Sequence, residues 1–297
     1  MKSWGRLLRL SLAPTAAADI VAGAVAGANG WPWRGDSALD LALLVLASLA
    51  VYHGGMTLND WADRGENRVS RPDRPIPSGA VAPRAALLVA LALLVLGPSL
   101  AFRVSPVSGA ILAGVSAVAC AYDLGLRGAW IGPLLLATCR AGNLSAGIAF
   151  GAGSEPAAVA LVPALVYGAY VFAVSTLGRL EDAPGDVLRG SRPSLHLFAA
   201  AAILAASPAA VGVSGRSLAA FALSVWGAFG LVVLARRTTT WSSGEVTRAT
   251  GAGLRRLLVF TAALALAAGG PAGPFVAAGI LAGYPISYAL RGVFPPS

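Results

Sequence analysis

The 297-residue chain is 57% hydrophobic and only 12% charged, about half the roughly 25% charged content of soluble domains. An ordinary soluble fold could not hide that much apolar surface and is excluded. The net charge of +9 comes from arginines gathered in short loops without any nucleic-acid-binding motif, which excludes DNA and RNA as partners and points to membrane orientation.

The apolar residues come in blocks of about 17 to 23, close to the ~20 residues a helix needs to cross hydrocarbon. In chain order the predicted spans are 8–28, 38–58, 84–102, 107–124, 130–150, 157–178, 194–212 and 216–235. The remainder, 252–292, holds two apolar runs split by Gly269-Gly270-Pro271 and reads as two short spans or as one span plus an interfacial piece. The expected fold is therefore all-α: a polytopic bundle of nine or ten transmembrane helices around a central cavity, forming a single domain over 1–297. Lys2, Arg6 and Arg9 before an Ala/Val/Gly-rich run imitate a signal peptide, but Asp19 interrupts the run and many spans follow, so this is read as an uncleaved first span. Cys120 and Cys139 both fall inside spans and read as small buried apolar residues.

Alternate loops differ in charge. The N-terminus and the loops after spans 2, 4, 6 and 8 hold seventeen basic residues, against Arg34, Arg103 and Arg216 on the other side up to residue 235. Basic residues accumulate in the cytoplasm, so the even-numbered loops are expected there.

Two polar clusters fall on that side. The first, Asn59–Gly79, contains four acids, four arginines and three prolines within twenty-one residues. Asn59, Asp63 and Asn67 are four apart and share one face of a continuing helix. Carboxylate oxygens suit Mg²⁺, which binds through one or two carboxylates together with substrate phosphates, and Arg68, Arg71 and Arg74 beside them suit a diphosphate. A charged loop that only fixes topology is the plain alternative, but topology requires no acids. Prolines 72, 75 and 77 exclude a helix and predict an ordered extended loop. The second cluster, Arg179–Asp186, carries Glu181, Asp182 and Asp186, with Pro184 and Gly185 between the last two.

Within the spans, Asp19 and the Arg140/Asn143 pair stand out, because ionisable groups at depth are costly and face the bundle interior. They either line the cavity or simply pair. Tyr122-Asp123 and Arg127 add a polar set at the end of the fourth span. Trp61, Tyr122, Tyr167, Tyr170 and Phe172 could face an allylic cation, or sit at the interface as aromatics commonly do. His53 and His196 do not have zinc-site spacing.

These residues resemble the UbiA superfamily of intramembrane prenyltransferases. The family's first motif, N-D-x-x-D-x-x-x-D followed by N-R-P-x-R-P-[IL]-P-x-G, is matched by Asn59, Asp60, Asp63, Arg71, Pro72, Arg74, Pro75, Pro77 and Gly79. Its second, ending D-x-x-G-D, is matched by Asp182, Gly185 and Asp186. Tyr122 with Arg127, and Cys139-Arg140-x-x-Asn143, also look like family features. The resemblance covers roughly residues 5–290. It implies Mg²⁺ held by Asp63, Asp182 and Asp186, catalysis by these with Asn59 and Asp60, and substrate contacts from Asn67, Arg68, Arg71, Arg74, Tyr122, Arg127, Arg140, Asn143 and Arg179. The implied partners are a polyprenyl diphosphate donor, a hydrophobic or aromatic acceptor and membrane lipid, in a bacterial-type plasma membrane with both motifs cytoplasmic. The sequence departs from the pattern at Asn67, which replaces the last aspartate, and at Gly178-Arg179, where a lysine–aspartate pair often stands. Asp19, Tyr122-Asp123 and Cys139-Arg140 together look most similar to the EboC-like branch. A non-catalytic protein of the same fold that binds or carries an isoprenoid or pigment precursor is the rival reading.

Overall fold

The computed structural model describes residues 2–30, 37–153, 161–182, 192–211 and 217–294. Within them the chain is a helical bundle. In order, α1 is Lys2–Leu7, α2 Ala13–Ala28, α3 Ser37–Ala62, α4 Arg64–Ser70, α5 Pro83–Val104, α6 Pro106–Asp123, α7 Ile131–Ala152 and α8 Leu161–Gly178. Then come α9 Arg192–Ala206, α10 Ser217–Arg237, α11 Ser243–Arg255, α12 Leu257–Ala268, α13 Gly273–Leu281 and α14 Gly283–Val293.

Nine helical stretches among the described residues are long and apolar enough to cross a membrane. Two of them are composite: α11 runs into α12 with a bend at Arg256, and α13 into α14. Of the two readings for 252–292, the two-span one holds: both C-terminal runs have membrane length among the described residues. The 22-residue α7, which carries Arg140 and Asn143, is a further helix held between α2, α6 and α8.

The bundle has two cores that share α2 and α7. One gathers α3, α5 and α6 around Leu44, Leu58, Leu94 and Leu112; the other gathers α8 to α13 around Tyr167, Leu197, Leu231 and Phe260. The shared pair is fastened through glycine. Gly23 and Gly27 of α2 lie directly on the backbone of Leu144 and Ile148, and Gly147 and Gly151 of α7 on that of Ile20 and Ala24. Lipid offers no hydrophobic drive between helices, so such close contact supplies the packing instead.

The first span runs from Leu10 to Ala28, within two residues of prediction, and a short helix precedes it. The helix stops at Leu7, Arg9 takes a left-handed backbone (φ 51°), and a 3₁₀ turn over Leu10–Leu12 leads into α2. The proline-rich segment is ordered but not extended: turns closed by Ser78 N–H to Arg74 C=O (3.0 Å) and Val81 N–H to Pro75 C=O (2.9 Å) fold it back on itself. A proline's fixed φ of about −65° suits turns as well as extended chain, which is why spacing alone misjudged it. Ile76 and Val81 are buried there against Leu7 and Ala86, with Trp4 and Trp61 alongside.

Candidate active site

The site begins where α3 ends. Although α3 and α4 are separate helices, the backbone ladder continues through Asp63: Asp63 N–H donates to Asn59 C=O (3.0 Å), Asn67 N–H to Asp63 C=O (2.9 Å) and Arg71 N–H to Asn67 C=O (2.9 Å). The four-residue spacing therefore survives, and Asn59, Asp63, Asn67 and Arg71 succeed one another along one face.

That face meets the end of α6. Asn59 Nδ2 donates to Asp123 Oδ1 at 3.0 Å, and Asp63 pairs with the Arg127 guanidinium. Arg127 is held in place by Tyr122 C=O (3.0 Å) and Asp123 C=O (3.1 Å) and lies over the Tyr122 ring. Burial works against its charge, but the hydrogen bond and charge of Asp63, with Tyr122 and Asp123, keep its pKa above the ordinary value. Further along, Arg71 Nη2 meets Glu181 Oε1 at 2.7 Å, which ties the first cluster to the 3₁₀ turn Arg179–Asp182 of the second. Arg179 is exposed and donates to Ala129 C=O. Arg68 is exposed and, with Ala62, Arg64 and Gly65, lines a recess of about 310 Å³. The Asp182 side chain and all of Asp186 lie outside the described residues.

Asp60 is elsewhere. It is 2% exposed, and one oxygen, Oδ1, accepts from both Arg9 Nη2 and Arg74 Nη1 at 3.1 Å. Burial draws the Arg74 pKa below its ordinary value, and neighbouring Arg9 and Arg71 add to this against the pull of Asp60. Asn67 is 4% exposed, with its Nδ2 buried and unpartnered.

A separate polar network lies at depth. Asp19, fully buried, accepts from Arg140 Nη1 (3.2 Å), Asn143 Nδ2 (3.0 Å) and the Tyr167 hydroxyl; Ser48 Oγ donates to Asn143 Oδ1 at 2.7 Å. Asp19 and Arg140 thus pair, joining α2, α3, α7 and α8. The aromatics separate accordingly. Tyr167 and Tyr170 belong to no interface, since both are fully buried and Tyr170 donates to Gly253 C=O at 2.7 Å. Phe172 stacks on Trp130 and borders an apolar groove of about 550 Å³ between α7, α8 and α9, on the flank of the bundle. Sequence reasoning missed Arg9, Ser48 and Glu181's partner; only the density of charge around Asp60 hinted that a carboxylate there needed two cations.

The oxygens at this end are hard donors of the kind Mg²⁺ prefers. Among the described residues no three His, Cys, Asp or Glu side chains converge on one point. The remaining carboxylates, Asp182 and Asp186, belong to the adjoining segment.

A sequence model of the UbiA prenyltransferase family matches residues 11–250. The bacteriochlorophyll synthase 33 kDa chain of Cereibacter sphaeroides is 32% identical over 202 residues, 66% of this chain and 66% of that protein. This chain thus spans slightly under two thirds of that relative. Digeranylgeranylglyceryl phosphate synthase of Methanopyrus kandleri is 31% identical over 281 residues, 89% of this chain and 100% of that one. The structure of a UbiA homolog from Archaeoglobus fulgidus bound to GPP and Mg²⁺ has the same fold, with a TM-score of 0.58 at 15% identity over 88% of this chain and 99% of that one. The chain belongs to the UbiA prenyltransferase family.

Proposed function

We propose that this protein transfers an isoprenyl group from a polyprenyl diphosphate to a hydrophobic or aromatic acceptor within the membrane, with Mg²⁺. The observation that carries the reading is the run Asn59, Asp63 and Arg71 on one helix face, opposed by Arg127 and tied through Glu181 to the second acidic segment. The Archaeoglobus homolog, bound to GPP and Mg²⁺, supports the donor class.

Asp63, Asp182 and Asp186 would hold the metal, which when bound offsets charge on the departing diphosphate. Arg71 and Arg127 are placed to pair with phosphate oxygens once released from Glu181 and Asp63, with Arg68, Arg74 and Arg179 adding positive potential around them. The allylic carbon–oxygen bond breaks with its electron pair going to the diphosphate. The acceptor then forms the new bond to carbon and gives up a proton. Tyr122 lies under the Arg127 cation, beside the proposed diphosphate site. The seventeen-to-three division of basic residues supports an N-terminus and acidic segments on the cytoplasmic side, in a membrane we take to be a bacterial-type plasma membrane.

The test is to incubate purified protein with Mg²⁺, membrane extract and allylic diphosphates of several chain lengths. Release of diphosphate and a prenylated lipid are expected, and no release with any donor would overturn the reading. Asp63→Ala should abolish turnover while the protein stays folded; retained binding of a prenyl diphosphate without metal would favour a carrier.

A further inference from the structure

We infer that Asp60 is a positioning residue which clamps the N-terminal helix and the arginine–proline turn to α3, and that it contributes no oxygen to the metal. The inference rests on the diphosphate-site reading above for its functional consequence, but its geometry stands apart from it. A helix turns about 100° per residue, so the Asp60 side chain is rotated about 100° from Asn59 and about 60° from Asp63, enough for it to meet different neighbours. Asn59 and Asp63 look toward α6 and meet Asp123 and Arg127. Asp60 looks instead toward α1 and the turn over 71–81, and meets Arg9 and Arg74.

Charge makes the same division. Two guanidiniums share a single Asp60 oxygen at 3.1 Å each, and the carboxylate is 2% exposed. Its second oxygen is enclosed without a partner. A divalent cation there would have to be desolvated and held within a few ångströms of two guanidiniums, a repulsion that one carboxylate cannot offset. The acid is therefore committed to the arginines.

What the clamp organises is visible around it. Arg9 can reach Asp60 because its backbone turns left-handed between α1 and the 3₁₀ turn. Arg6 adds a contact to Asp73 C=O at 3.3 Å, and Leu7 packs with Ile76 and Val81. The N-terminal segment and the arginine–proline turn thus form one small cytoplasmic layer, pinned by Asp60 at its centre. Arg71 begins that turn, so fixing the turn fixes where Arg71 can meet a phosphate.

The experiment uses the full-length protein in nanodiscs with four variants: Asp60→Asn, Arg9→Gln, the double Asp60→Asn/Arg9→Gln, and Asp63→Asn. Three quantities are read: Mn²⁺ affinity by electron paramagnetic resonance in the presence of inorganic diphosphate, affinity for the non-ionising analogue geranyl S-thiolodiphosphate, and amide hydrogen exchange. Asp60→Asn is expected to weaken the analogue about tenfold, leave Mn²⁺ affinity within about twofold, and raise exchange in both 2–12 and 71–81. Arg9→Gln should do the same, and the double variant should be no worse than either single one, because both remove the same link. Asp63→Asn should instead weaken Mn²⁺ about tenfold or more with exchange in 2–12 unchanged. Asp60→Asn losing Mn²⁺ affinity as Asp63→Asn does, with exchange unaltered, would overturn the inference. If Asp60→Asn fails to fold, Arg9→Gln decides alone: unchanged exchange and analogue affinity would also overturn it. A wild-type protein that binds neither Mn²⁺ nor analogue would refute the proposed function, while the exchange coupling between the two segments would still decide the clamp.

Discussion

Adjacent acids near the end of α3 have opposite environments, and their substitution should behave accordingly. Asp63 is about one-fifth exposed and paired with a still more accessible arginine, an arrangement that contributes at most about 1 kcal/mol to stability. Asp63→Asn is therefore expected to leave thermal unfolding within a few degrees of wild type and to lower turnover at least about 100-fold, as loss of a group acting on developing charge does. Asp19 is the reverse case. Its carboxylate is fully buried and answers Arg140, Asn143 and Tyr167 at once. Asp19→Leu leaves Arg140 uncompensated at depth, which costs about 3–5 kcal/mol, whereas Asp19→Leu with Arg140→Met removes the imbalance and should recover most of that loss. Unfolding midpoints in detergent distinguish the two; equal destabilisation by the single and double variants would deny that the pair is the reason. The pairing was half legible beforehand, since these were the ionisable residues standing at membrane depth. Asp60 was less legible, because its partner Arg9 lies fifty-one positions away and takes a left-handed backbone that no pattern of apolar residues announces.

Helix boundaries came within a few residues of prediction wherever an apolar block ended in charge or proline, as at Pro83, Asp123 and Arg237. Finer features were set by tertiary contact: the left-handed residue before the 3₁₀ turn Leu10–Leu12 is the Arg9 that meets Asp60, and the break between α11 and α12 falls at Arg256, which bonds to the Tyr284 hydroxyl at 2.8 Å. The structure assigns close glycine contacts to particular helix crossings. At the crossing of α2 and α7, a side chain on Gly147 would meet the Ile20 backbone, which cannot move aside as a flexible side chain would. Gly147→Ala is expected to destabilise by about 1–3 kcal/mol or more, the ordinary range for forcing extra volume into a packed site. Gly114 of α6 has open space around its Cβ position, so Gly114→Ala should be neutral or slightly stabilising. Comparable losses from both would mean that glycine matters here for backbone freedom and not for contact.

For the molecule as a whole, the two acidic clusters are joined by the Arg71–Glu181 pair, and Asp63 of the first is held by Arg127, so ligands at the proposed site would compete with these ion pairs. Arg127 occupies Asp63 and Arg71 occupies Glu181, so the groups proposed for metal and for diphosphate neutralise one another when neither ligand is bound. Mg²⁺ at Asp63 would release Arg127 toward phosphate, and diphosphate on Arg127 would expose Asp63 to metal. Each ligand therefore lowers the cost of admitting the other, and because binding free energies are linked the effect is reciprocal. Titration of Mn²⁺ into the purified protein should show the affinity rising about fivefold or more as inorganic diphosphate is added, and diphosphate affinity rising by the same factor with Mn²⁺. Chelation with EDTA should abolish turnover and readmission of Mg²⁺ restore it. Arg127→Met removes one of the competing pairs, so it should tighten Mn²⁺ alone while weakening diphosphate, and the coupling between them should shrink. Diphosphate contacts Mn²⁺ directly in solution as well as in a site, so the decisive quantity is the difference in coupling between wild type and Arg127→Met under identical free-metal concentrations. Equal coupling in both proteins would show that the ion pairs play no part in ordering the two ligands.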